Sequence, residues 1–510
     1  MRKVNIMEKL YVLAPSVIGT IKPEIYGHFA EHIGGVIYDG IYVGKDSKVE
    51  NVHGFRKFII DKLKAINAPV VRWPGGCFAE IYDWRDGIGE NRPTRVNWWT
   101  SYDKISGRYE PNEVGTHEFV DFCELVGAKP YFAANITSVT PLHVRDWIDY
   151  TTTPAGKTTL ALEREANGHK EPFDIPWWGI GNENWGGGGN MTPEYYALEW
   201  RRFATIAQNT NPKLKRIACG PDSFNYEWTR RFLEVAREKP DLIDGLALHY
   251  YCFNKVEGDK VTEFGTNDWD RLLWQATLMQ DLIIRHWSII RGYGLQNKAK
   301  LYIDEWGAWH NDGTGPSKGY NLYEQQSSMR DALVSAIYLN IFNNHCEKID
   351  MANAAQLVNN LHCLFLSQGE NCITTPTYHV FDMFKTHMGG QSIRTENTAG
   401  RREIIGVRGE KQTISNLTSS ASVKDGFLTV TVANTRYDCD IPLSLELTGL
   451  KVTGDGELTV LVGDSICAHN TFDDPDHVTP KTTAIKASEI SNINVPAASV
   501  IAVRIPVDKE

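Results

Sequence analysis

From about residue 24 to residue 390, short apolar runs alternate with longer amphipathic stretches. Short runs of this kind read as buried strands, and the longer segments as helices with one apolar face. The pattern predicts eight strands, ending near Gly27-His28, Val71-Arg72, Ala133-Asn135, Ile180-Asn182, Ala218-Gly220, Leu248-His249, Ile303-Glu305 and Ala354-Gln356. Helices are predicted between them, for example over 192–208 and 324–340. Thr192-Pro193-Glu194 gives the first of these an N-cap, a proline at its first position and an acidic first turn. Eight alternations predict a (β/α)8 TIM barrel over residues 24–390. A doubly wound sheet would alternate too, but no G-x-G-x-x-G follows a strand. Beyond residue 390 the helical period disappears and a period of two replaces it, as in Phe427-Leu428-Thr429-Val430-Thr431-Val432 and Ser499-Val500-Ile501-Ala502-Val503-Arg504. Residues 391–510 are therefore expected to form a C-terminal antiparallel β-sandwich, jelly-roll-like in texture. The segment 8–20 opens with strand-like Glu8-Lys9-Leu10-Tyr11-Val12-Leu13 and is expected to join that sheet at its edge.

Length agrees with two domains, since 510 residues exceed what one core usually serves. A net charge of −10 gives no support for nucleic acid or an anionic membrane as partner. The nine cysteines are scattered without a C-x-x-C pair, so reduced thiols are expected rather than a disulfide framework or a zinc knuckle. Met1-Arg2-Lys3-Val4-Asn5 begins no sustained apolar stretch. A cytoplasmic location is the expectation, with no membrane span.

In barrels of this kind, chemistry gathers at the C-terminal ends of the strands. Polar residues stand at nearly all of those ends: Glu31 after the first strand, Arg72 after the second, Asn135, then Asn182 and Glu183, then His249 and Tyr251, Glu305, and Gln356. A carboxylate closing a buried strand costs free energy unless it is paired or used. Glu183 and Glu305 close separate strands in a chain with 15 tryptophans, among them Trp98, Trp99, Trp185 and Trp309. Two such carboxylates suggest a pair acting on one sugar, with aromatic faces to stack on it. Each residue also has a plainer reading. Arg72 can simply hold a carboxylate ionised, His249 can be a satisfied core histidine, and Tyr251, Gln356 and the tryptophans can be packing.

Several motifs together resemble the α-L-arabinofuranosidases of glycoside hydrolase family 51, a family of clan A barrel glycosidases. They are Tyr26-Gly27-His28-Phe29-Ala30-Glu31-His32, Val71-Arg72-Trp73-Pro74-Gly75-Gly76-Cys77-Phe78, Gly179-Ile180-Gly181-Asn182-Glu183, His249-Tyr250-Tyr251, Asp304-Glu305-Trp306-Gly307 and Ala354-Ala355-Gln356-Leu357-Val358-Asn359. The resemblance implies a retaining, exo-acting enzyme that releases terminal arabinofuranose from arabinan, arabinoxylan or their oligosaccharides. Glu305 would be the nucleophile and Glu183 the general acid/base. Glu31, Arg72, Cys77, Trp99, Asn182, His249, Tyr251, Trp309 and Gln356 would bind or orient the sugar. Some members carry asparagine where Cys77 stands, so a direct bond from this side chain to sugar is not implied. No metal or organic cofactor is implied, and a homo-oligomer, hexamer included, is.

Three other readings carry less. His28-Phe29-Ala30-Glu31-His32 fits H-x-x-E-H, but a zinc site needs that motif on a helix, and the flanking glycines favour a strand end. A non-catalytic sugar-binding barrel would not need both carboxylates. A related glycosidase of another specificity, an endoglucanase or β-xylosidase, cannot be separated by fold.

Overall fold

The computed structural model describes residues 7–101, 109–253, 261–311 and 313–510. Met1-Arg2-Lys3-Val4-Asn5, read above as beginning no sustained apolar stretch, lies outside them. Eight parallel strands close into a barrel: Gly27–Phe29, Val70–Trp73, Lys129–Ala134, Trp177–Ile180, Lys215–Ala218, Gly245–Phe253, Lys300–Trp309 and Ile349–Ala355. Each pairs with the next in chain order, and the eighth returns to the first through Ala355 opposite Phe29. These are the eight predicted strands, although the sixth and seventh continue to Phe253 and Trp309, beyond their expected ends at His249 and Glu305. They are buried on both faces, which is why they read as continuous apolar runs rather than alternating ones. Inside the barrel, Val70, Tyr131, Ile217, Ala247, Tyr302 and Met351 fill one layer as a packed core. Chemistry is thereby restricted to the C-terminal mouth.

The helix expected over 192–208 is Pro193–Thr210, and Thr192 accepts from Tyr195 N as its cap. The helix expected over 324–340 is instead Met329–Asn344. Its N-terminus is set by Ser328, whose backbone N–H donates to Asp331 Oδ2 at 2.8 Å in a capping box. Glu324, read as helical, holds a loop by accepting from Ser317 N and Asn321 Nδ2. Nearly every residue of this helix is buried, because barrel and sandwich cover it from both sides.

The C-terminal domain is a ten-stranded sheet that closes over its own apolar core, including Val430, Val432, Leu443, Leu445, Ile501 and Val503. The N-terminal strand Glu8–Thr20 belongs to it, but not at the edge. It lies between Gln391–Asn397, antiparallel, and Ile441–Thr448, parallel. Leu10 and Val12 face the sandwich core, so an edge position would leave their neighbours uncovered. No helix among the described residues is long and apolar enough to cross a membrane.

Candidate active site

Arg72, the third residue of the second strand, has its guanidinium inside the mouth and organises what surrounds it. Nη1 donates to Glu305 Oε1 at 2.9 Å, Nη2 donates to Asn182 Oδ1 at 2.5 Å, and Nε lies 3.8 Å from Asp304 Oδ2. A planar fork of fixed donors suits such a triple contact better than lysine would. The ring of Phe29 lies 4.6 Å from the guanidinium carbon and closes the remaining face.

Asp304 and Glu305 are consecutive on one strand, where neighbouring side chains ordinarily point to opposite faces. The register slips between Ala247 and His249 on one side of that strand, and between Ile303 and Trp306 on the other. This bulge lets both carboxylates approach Arg72. Tyr131 OH donates to Asp304 Oδ2 at 2.8 Å, and Tyr251 OH donates to Glu305 Oε2 at 2.8 Å. Burial pushes the Glu305 pKa up, but the charges of His249 and Arg72 and the hydrogen bonds from Arg72 and Tyr251 outweigh it. They hold the carboxyl below its ordinary range. A group so depressed stays ionised as pH falls through the ordinary carboxylate range, and loses its charge only below that. Arg72→Gln removes one of the two charges. The acid limb of the kcat/KM–pH profile on an aryl α-L-arabinofuranoside is then expected to move to higher pH, by about one unit or more. A limb that stays in place would show that Arg72 does not keep Glu305 ionised.

Glu183 lies across the mouth. Its Oε1 is 2.8 Å from His249 Nδ1, and its Oε2 accepts from Cys77 Sγ at 3.4 Å. Burial first, and the Glu183 charge second, raise the Cys77 pKa, so the sulfur remains a thiol that can donate. His249 Nδ1 is also 3.5 Å from Glu305 Oε2. One oxygen of each glutamate and a nitrogen of His249 lie within 4.8 Å of one another. Burial would lower the His249 pKa, but the charge of Glu305 and the bond and charge of Glu183 raise it above the usual value. The same three residues could in principle share a cation, yet Arg72 and Tyr251 already occupy both oxygens of Glu305. Glu183 has the more open side chain, 20% exposed against 7% for Glu305. That difference suits a group that must meet a leaving oxygen and then water.

Glu183 sits at φ +42°, just after Gly181 at φ +90°. Positive φ at a non-glycine residue is disfavoured by about 1–3 kcal/mol and persists only where its surroundings enforce it. The glycines that follow are part of the enforcement. A Cβ on Gly188 would stand 1.7 Å from the backbone oxygen of Asn182.

Glu31 lies at the bottom of the mouth. It accepts from Phe78 N at 3.0 Å and from Gln356 Nε2 at 2.9 Å, while its own N–H donates to Gln356 Oε1 at 3.0 Å. Burial, and then the charge of Glu305, push its pKa up to about 8. The Gly75-Gly76 turn passes so close that a Cβ on Gly76 would lie 2.7 Å from both Glu31 oxygens. Trp99 is half-buried on the rim. Its six-membered ring lies 3.5 Å from where a Gly187 Cβ would stand, and Cys77 Sγ lies 2.7 Å from the same point. Trp309 stacks on Phe253 with centroids 5.2 Å apart and meets Tyr251 edge-on at 5.5 Å.

Of the residues expected at the site, Glu31, Arg72, Cys77, Asn182, Glu183, His249, Tyr251, Glu305 and Gln356 thus form one connected set, with Trp99 and Trp309 beside it. Arg72, His249 and Tyr251 engage the carboxylates directly. Asn135 stands apart, capping its own loop by accepting from Thr137 N and Ser138 N. The H-x-x-E-H histidines do not converge either. His28 packs on Phe381 at 4.9 Å, and His32 bonds Glu110 and Trp73.

Besides the contacts of Asp304 and Tyr131, the sequence reading missed Glu80. It is buried beneath the Asn182-Glu183 turn, with both oxygens fully used. Oε1 accepts from Asn182 N at 2.7 Å and Asn184 Nδ2 at 2.9 Å, and Oε2 accepts from Ile136 N at 2.8 Å and Thr137 N at 2.9 Å. Burial raises its pKa even against these four donors.

A closed barrel presenting two glutamates from its fourth and seventh strands to one small space is the architecture of a glycoside hydrolase. Comparisons with known proteins narrow the class. Residues 62–268 match the family model described as the α-L-arabinofuranosidase 1 domain, and residues 304–499 match the α-L-arabinofuranosidase C-terminal domain. An intracellular exo-α-L-arabinofuranosidase of Bacteroides ovatus is 35% identical over 94% of this chain and 92% of its own length. The family 51 arabinofuranosidase of Xanthomonas axonopodis pv. citri superposes with a TM-score of 0.89 at 34% identity, covering 98% of this chain and 99% of that one. The Thermotoga maritima α-L-arabinofuranosidase, solved with arabinose, gives 0.85 at 27% identity, over 98% of this chain and 100% of that one. The chain belongs to the α-L-arabinofuranosidases of glycoside hydrolase family 51.

Proposed function

We propose that this protein is a retaining, exo-acting α-L-arabinofuranosidase, with Glu305 as nucleophile and Glu183 as general acid/base. The observation that carries the reading is the short span between the two carboxylates, one oxygen of each lying within 4.8 Å of the other. Retaining enzymes hold the pair about 5–5.5 Å apart, whereas inverting enzymes leave room for a water between them. In the first step Glu305 attacks C1 of the arabinofuranosyl unit and its oxygen forms an ester. The C1–O bond to the leaving sugar breaks, and Glu183 passes its proton to that oxygen. In the second step water attacks C1, Glu183 takes its proton, and the ester bond breaks to release arabinose and the Glu305 carboxylate. Arg72, Tyr251 and His249 all donate toward Glu305 or lie beside it, which favours the free carboxylate that each turnover must regenerate.

Asn182 has its side-chain oxygen occupied by Arg72 and its amide nitrogen 3.9 Å from Cys77 Sγ, a long donor contact that leaves an amide N–H for the sugar 2-hydroxyl. A bond there strengthens as C1 becomes oxocarbenium-like. Glu31 and Gln356 offer paired polar groups to the remaining hydroxyls, and Trp99 and Trp309 offer aromatic faces. Arabinan, arabinoxylan and their oligosaccharides are the proposed sources of the terminal sugar. A homo-oligomer and a cytoplasmic location belong to the same reading, the latter supported by the intracellular designation of the Bacteroides ovatus relative.

The test is turnover of 4-nitrophenyl glycosides in dilute methanol, with the products followed by NMR. The expected outcome is fastest turnover of the α-L-arabinofuranoside and accumulation of methyl α-L-arabinofuranoside. The β-anomer as first product, or preference for a pyranoside, would overturn the assignment.

A further inference from the structure

Glu80 lies outside the set of residues that meet the sugar, yet it joins three of the loops that form the mouth. It comes from the 3-10 turn Cys77–Ile81, one turn beyond the thiol that touches Glu183. One of its oxygens binds the loop after the third strand through the N–H groups of Ile136 and Thr137. The other binds both neighbours of Glu183, the N–H of Asn182 and the side-chain amide of Asn184. The loops are also tied to each other, since Thr137 Oγ1 donates to Gly188 O at 2.6 Å and Asn184 Nδ2 donates to the same oxygen at 2.7 Å.

Asn182 is thereby gripped from two sides, by Glu80 on its backbone and by Arg72 on its side chain. Glu183 follows it at positive φ, a conformation its surroundings must impose. Four N–H groups converging on two oxygens leave no place for an amide NH2, which would meet a donor whichever way it turned. The arrangement therefore requires an acceptor at both positions, and glutamine supplies only one.

We propose that Glu80 is a positioning residue for Glu183, fixing the acid/base carboxyl through Asn182 and Asn184. The proposal rests on the assignment of Glu183 above. Misplacing a catalytic group by about 1 Å costs about 10²-fold, and the loss should fall on the steps that need Glu183 rather than on all steps alike.

The test compares wild type, Glu80→Gln, Asn184→Ala and Glu183→Ala on an arabino-oligosaccharide and on 4-nitrophenyl α-L-arabinofuranoside, with and without azide. For Glu80→Gln, kcat/KM on the oligosaccharide is expected to fall about 10–100-fold, with a much smaller fall on the nitrophenyl substrate. Azide needs no general base and is expected to restore kcat on the nitrophenyl substrate. Asn184→Ala should show the same signature more weakly, and it decides the matter if Glu80→Gln does not fold. Equal losses on both substrates without azide rescue, or no loss at all, overturn the proposal. If Glu183→Ala itself lacks the substrate split and the rescue, the acid/base assignment has failed rather than the role of Glu80.

Discussion

Glu305→Ala is expected to lower kcat/KM on every α-L-arabinofuranoside by on the order of 10⁴-fold or more, as removal of a nucleophile does elsewhere. The loss should fall on good and poor leaving groups alike, because either is expelled in the displacement that Glu305 carries out. No small nucleophile should restore retained product. The variant also leaves Arg72 buried with only Asp304 and Asn182 as partners, and stranding a buried charge typically costs about 3–5 kcal/mol. A melting curve must therefore accompany the kinetics, with activity compared at a temperature where the variant is folded. Mass spectrometry of the glycosyl-enzyme trapped in wild type supplies the decisive control. An ester found on any residue but Glu305 would sink the assignment.

Glu183→Ala is expected to divide substrates by leaving group. On arabino-oligosaccharides, whose leaving alkoxide needs a proton, the rate should fall by about 10²–10⁴-fold. On 4-nitrophenyl arabinofuranoside the first step should be far less affected, because nitrophenolate departs without help. The second step still lacks its base, so the glycosyl-enzyme should accumulate and appear as a burst of nitrophenol. The position of Glu183 accounts for this division. It is the more exposed of the two carboxyls, and it contacts His249 and Cys77 rather than Arg72. Equal losses on both substrates would assign the proton to another group.

The barrel was legible because buried parallel strands leave uninterrupted apolar runs, and the candidate polar residues stand out where those runs give way to polar or aromatic sequence. Glu183 and Glu305 could be read this way, as could Arg72 and Gln356. What could not be read depends on contacts distant in sequence or on departures from regular geometry. Glu80 lies in a 3-10 turn and is satisfied by backbone N–H groups of remote loops. Its one local signal was a carboxylate among Phe78, Ala79, Ile81 and Tyr82, a setting that requires partners. Asp304 should face away from Glu305 by simple alternation, and only the bulge brings it to Arg72. The shifted start of Met329–Asn344 has a different cause. A helix covered on all sides shows no polar face, so its pattern carries little information about where it begins. The Ser328–Asp331 capping pair was the better guide.

The strand Glu8–Thr20 is held between two segments from the C-terminal quarter of the chain. During synthesis it therefore leaves the ribosome several hundred residues ahead of either partner and stays unpaired on both sides until they follow. Its alternate apolar residues are exposed to solvent throughout that interval, when sticky edges invite association. A chaperone that shields nascent chains would find a long-lived client surface on this strand until both partners have been made.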